Sequence, residues 1–127
     1  MFAVTSCKKY EDGPLLSLRS REARVANVWK VETVLKNGND VTGDYDNYEE
    51  IYEKGGKYSY TWTFGGVSGT GTGKWKFQND DEEIRLYDVD AREDRILYIL
   101  KLKENHFWYF YNDGGDKYEV RLTSKAS

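Results

Sequence analysis

Residues 57–64 read Lys-Tyr-Ser-Tyr-Thr-Trp-Thr-Phe, with Tyr58, Tyr60, Trp62 and Phe64 alternating against Lys57, Ser59, Thr61 and Thr63. Successive side chains of a strand point to opposite faces, so a strict period of two defines a half-buried strand and defeats an amphipathic helix. The period recurs along the chain. In residues 28–36, Trp29, Val31, Thr33 and Leu35 alternate with Val28, Lys30, Glu32, Val34 and Lys36, and in residues 70–77 Gly71, Gly73, Trp75 and Phe77 alternate with Thr and Lys. Shorter or more apolar runs at 48–53, 83–89, 95–103, 106–111 and 117–123 complete a set of eight predicted strands. Asn37-Gly38, Lys54-Gly55-Gly56, residues 65–69, Asn79-Asp80-Asp81, Glu104-Asn105 and residues 112–116 supply the turns. Eight sequential strands with mostly short turns make an antiparallel meander, and closing it into a barrel removes both exposed edges. A sandwich of the same strands is the alternative. Ahead of the strands, residues 17–26 read as a short helix, with Ser17 as N-cap, Leu18 and Val25 on one face, and Asn27 as stop.

Composition agrees with an all-β domain and narrows its partners. At 127 residues the chain is one domain by length, and 16% of it is aromatic, including 11 Tyr and 4 Trp. The net charge of −3 argues against a nucleic-acid partner, because duplex binding needs a basic face. Lys8, Lys9, Arg19, Arg21 and Arg24 form a local basic cluster that reads as a solvated tether or face.

No catalytic or metal constellation emerges. The glycine-rich stretch 65–74 fails as a phosphate loop: Ser68 stands where the first glycine belongs, and Trp75 where Ser or Thr must follow the lysine. The acidic runs 44–47 and 80–83 lack the twelve-residue calcium loop with its central glycine and read as solvated loops. His106 is the only histidine, so no two-His metal site can form. The expectation is a non-enzymatic protein without metal or cofactor.

The single cysteine carries an address. Val4-Thr5-Ser6-Cys7 resembles the lipobox of bacterial lipoprotein signals, a branched apolar residue and two small ones before the cysteine. That resemblance implies a diacylglycerol on the Cys7 thiol and cleavage before it, with acyl chains contributing about 0.8 kcal/mol per buried methylene. Residues 1–7 then read as the remnant of a lipoprotein signal, 8–16 as a tether, and 17–127 as the domain. The basic n-region and most of the apolar h-region are expected upstream of Met1. The expected location is the bacterial cell envelope, with a lipid-mediated membrane partner.

From Asn27 onward the chain resembles the small lipocalin-like lipoproteins of Gram-negative bacteria. The resemblance rests on a helix leading into Asn27-Val28-Trp29, on Gly56-Lys57-Tyr58, on Gly73-Lys74-Trp75-Lys76-Phe77, and on Tyr98-Ile99-Leu100-Lys101-Leu102. It implies an eight-stranded up-and-down lipocalin-like barrel preceded by a short N-terminal helix. It also implies a structural plug at Trp29, with Arg121 near the last strand stacked on the indole. Asn27 replaces the glycine that opens the first lipocalin strand.

The residues themselves suggest a binding surface. Tyr58, Tyr60, Trp62, Trp75, Tyr98 and Tyr109 are expected inward, each with a polar handle that needs a partner when buried. Gly71 and Gly73 beside large rings suggest a slot for a flat ligand. Two readings stay open: a packed core with hydroxyls at the rim, or a cavity for a small apolar or aromatic molecule. Docking of another envelope protein on the outer face is the alternative function.

Overall fold

The computed structural model describes residues 20–89 and 92–126. Cys7, the tether and Ser17 lie outside the described residues. The strands are β1 (Asn27–Lys36), β2 (Asn39–Asp40), β3 (Glu49–Tyr52), β4 (Lys57–Phe64), β5 (Val67–Gln78), β6 (Glu83–Asp88), β7 (Glu93–Leu102), β8 (His106–Asp113) and β9 (Asp116–Ser124). They form one antiparallel sheet in the order β2-β1-β3-β4-β5-β6-β7-β8-β9, and β1 also pairs with β9. Eight strands therefore close into a barrel, which excludes the sandwich. The ninth, β2, is a two-residue strand paired to the end of β1.

Turn chemistry sets the strand junctions. The β4–β5 turn is tighter than the sequence suggested: Phe64 pairs with Val67, leaving only Gly65 and Gly66 at φ 59° and 81°. Two successive positive φ values match the right-handed twist of the flanking strands, and glycine adopts them without steric cost.

Two β-bulges alter the inward-facing set. Glu32 is the extra residue in β1 between Val31, opposite Leu122, and Thr33, opposite Arg121. Beyond the slip it is Val34, not Thr33 or Leu35, that is buried on the same side as Trp29, since one inserted residue flips every later side chain. A second bulge at Leu100 in β7 separates buried Ile99 from buried Leu102.

One end of the barrel is packed shut. A helical turn, Arg21–Val25, lies across it, with the Ser20 hydroxyl accepting from the Ala23 N–H. Arg24 donates to the Leu102 carbonyl at 3.2 Å, tying the turn to β7. Trp29 is fully buried beneath the turn, and its indole N–H donates to the Val25 carbonyl at 2.9 Å. Its ring meets Phe107 edge-on at 5.7 Å, and Phe107 meets Tyr52 at 5.6 Å.

Arg121 is not the partner of Trp29. Trp29 stands opposite Ser124 on β9, and Arg121 alternates with the buried Val120 and Leu122, so it faces outward. There it stacks 4.5 Å over Trp108 and bonds the Glu119 carboxylate. The Trp29 plug is held by the Val25 carbonyl, by the Phe107 ring and by its place in the buried core.

Trp29→Ala is expected to cost about 3–5 kcal/mol, because truncation leaves a large void. Arg121→Ala is expected to cost about 1 kcal/mol, as a half-buried surface cation–π contact with an ion pair does. Urea denaturation of the two variants measures both; equal losses would restore the pairing.

Candidate functional site

The opposite end is built from tyrosines. Period-two alternation on β3 sends Glu50 and Tyr52 inward; on β4 it sends Tyr58 and Tyr60, on β8 Tyr109 and Tyr111, and on β7 Arg95. A 3-10 turn, Thr42–Tyr45, brings Tyr45 against Tyr48, with the Tyr48 N–H donating to the Tyr45 carbonyl.

Glu50 is the centre of this arrangement. It is 3% exposed, and its carboxylate accepts from three phenols: Tyr52 at 2.8 Å, Tyr48 at 3.0 Å and Tyr109 at 2.7 Å. A buried carboxylate is costly unless its lone pairs are satisfied, and three donors do most of that work. Burial pushes the Glu50 pKa above its ordinary value, while the bonds from Tyr109, Tyr52 and Tyr48 pull it back part of the way. The phenols of Tyr48, Tyr52, Tyr58 and Tyr109 are held well above their ordinary range by burial and then by the Glu50 charge. They are therefore O–H groups at any physiological pH.

Above this layer lies a cavity of about 280 Å³ lined by Tyr45, Tyr48, Tyr58, Tyr60, Leu86 and Tyr111, with Asp88, Glu93 and Arg95 also in its wall. A void of about 20 Å³, bordered by Glu50 and Tyr109, shares Tyr45, Tyr48, Arg95 and Tyr111 with it. The larger space equals the liquid volume of about nine waters and sits near the lower limit of small-molecule sites. Arg95 stacks 4.1 Å from the Tyr111 ring centroid and lies 3.7 Å from the Glu93 carboxylate.

The residues expected inward are dispersed. Tyr58 and Tyr60 line the cavity, and Tyr109 lies beneath it on Glu50. Trp62 is 38% exposed, with its ring lying over Gly69. Trp75 is buried away from the cavity, its indole N–H on the Glu53 carbonyl at 2.9 Å. Tyr98 falls between buried Leu97 and Ile99, on the outer face, stacked with Phe110.

The glycines make no slot. Tyr60 covers Gly71, so a side chain there would collide with its ring, and Gly73 lies against the Tyr87 backbone. Cross-strand rings fill the space, because Tyr60 pairs with Gly71 and Trp62 with Gly69.

Sequence reading missed Tyr45, Tyr48, Glu50, Arg95 and Tyr111. The signal for Glu50 was its parity: Tyr48, Glu50 and Tyr52 share one face of a short strand, which places a carboxylate between two phenols. Among the described residues, no cluster of three or more His, Cys, Asp or Glu could hold a metal ion, and no helix is long and apolar enough to cross a membrane. In comparison with known proteins, no family model matches the chain and no curated protein matches it significantly.

Glu50→Leu is expected to destabilise the fold by about 3 kcal/mol or more, since three buried hydroxyls lose their acceptor. Glu50→Gln keeps an acceptor and is expected to cost less than half as much. A carboxyl whose folded pKa is raised stabilises the fold fully below its unfolded value, near 4.5. That stability is lost as pH rises through the higher folded value. Urea midpoints between pH 4 and pH 7 should accordingly fall in the wild type relative to Glu50→Gln, and parallel pH profiles would count against the buried carboxyl.

Proposed function

We propose that this chain is a lipocalin-like binding barrel, non-enzymatic, held at the bacterial cell envelope by a lipid on Cys7, that takes one small amphipathic aromatic molecule into the tyrosine-lined cavity. The observation that carries the reading is the cavity itself. About 280 Å³ is lined by five tyrosines, Tyr45, Tyr48, Tyr58, Tyr60 and Tyr111, and the hydroxyl of Tyr48 is fixed on Glu50. Aromatic walls suit a flat ligand, and the Tyr48 oxygen, held in place by Glu50, can orient its polar end. Glu50 is the natural candidate for a general base, but its two oxygens already accept three hydroxyls, which favours a binding role over turnover.

The exposed tip of the β4–β5 hairpin favours the second reading, docking of another envelope protein. Phe64 is 78% and Val67 60% exposed there, beyond the last rungs that β3 and β6 share with this hairpin.

Mass spectrometry of protein extracted from a bacterium expressing the full reading frame tests anchor and cavity together. The denatured spectrum should carry an acyl mass on Cys7, absent from Cys7→Ser. The native spectrum should carry one further small molecule that denaturation removes. Unmodified Cys7 would overturn the anchor; an empty native spectrum, with no binding of added aromatic probes, would leave the docking reading ahead.

A further inference from the structure

We propose that the cavity selects an organic cation: a primary or quaternary ammonium carried on a single small ring. The inference rests on the binding reading above and names its ligand class.

The wall is a run of touching aromatic rings. Tyr45 meets Tyr48 at 5.8 Å between centroids, Tyr48 meets Tyr60 at 6.1 Å, and Tyr60 meets Tyr58 at 5.8 Å. An aromatic face carries the negative side of a quadrupole, and several such faces around one space are how proteins hold ammonium groups. The barrel already holds one cation in this manner, since the Arg95 guanidinium lies 4.1 Å from the Tyr111 centroid.

The charges in the wall point the same way. Two carboxylates, Asp88 and Glu93, line the wall against the single guanidinium of Arg95, so acids outnumber bases among the lining residues. Among the lining residues, Arg95 is the one cationic side chain that would draw an anion. It already faces Glu93 at 3.7 Å and stacks on Tyr111, so an incoming carboxylate would have to displace a carboxylate the chain supplies. The neutral phenol oxygens of the wall can accept N–H bonds from an ammonium. The volume admits one ring and a short arm.

Three probes with one frame and different charge separate the outcomes: tyramine, 4-ethylphenol and 3-(4-hydroxyphenyl)propionate. They are titrated at pH 7 into the purified protein by calorimetry. Tyramine should bind about tenfold or more tighter than 4-ethylphenol, with the propionate weakest, as cation–π and charge effects of this size imply. Added salt should weaken tyramine most. In Asp88→Asn/Glu93→Gln, with folding checked by circular dichroism, the tyramine-to-ethylphenol ratio should fall toward one. If 4-ethylphenol or the propionate binds as tightly as tyramine, the cation proposal is overturned and the binding reading stands. If none of the three binds at millimolar concentration, both fall.

Discussion

A carboxylate buried at the centre of a barrel must be answered by donors, and the inside of this molecule is arranged around that requirement. Glu50 comes from β3 and Tyr109 from β8, which are not neighbours in the sheet, so their 2.7 Å bond crosses the barrel interior. Tyr52 and Tyr48 donate from the segment that carries Glu50, one on each side of it. A charge-assisted bond of this kind is stronger than a neutral one and strongly directional. It fixes the rings that carry the hydroxyls, and those rings pack the rest of the aromatic interior, as Tyr52 does on Phe107, Tyr58 and Trp75.

The consequence is a barrel of two unlike halves. Below Glu50, Trp29, Phe107, Leu102, Leu122 and Val25 are buried to 1% exposure or less and fill the closed end. Above it, phenols and Arg95 border open volume. Well-packed hydrophobic residues would have been at least as stable as a buried carboxylate with its tyrosines. The polar layer marks the boundary between the filled half and the cavity. In the binding reading proposed above, the Tyr48 hydroxyl fixed on Glu50 lowers the ordering cost of a ligand.

The strands were legible because period two and glycine turns are local signals. Residues 57–64 were delimited on sequence alone, and the remaining seven long strands fall within a few residues of their observed ends. The bulges at Glu32 and Leu100 were not legible, since nothing local marks an extra residue; the first turns Val34 inward in place of Thr33 and Leu35. Arg121 was misassigned for a related reason: its partner Trp108 is cross-strand, and register rather than sequence proximity brings them together. Glycine was read as empty space, yet Tyr60 and Trp62 lie over Gly71 and Gly69. The cavity needed three-dimensional closure, because Tyr45, Tyr60, Arg95 and Tyr111 come from four separate segments.

The central claim is that Glu50 is a buried carboxyl bonded by three phenols. Carbon-13 NMR of protein labelled at Glu carboxyl and Tyr Cζ carbons reads this directly across a pH titration. The account predicts a Glu50 midpoint above the ordinary 4.5, with the Cζ signals of Tyr48, Tyr52 and Tyr109 shifting at the same midpoint. A Glu50 midpoint at or below 4.5, with tyrosine signals indifferent to it, would contradict the account.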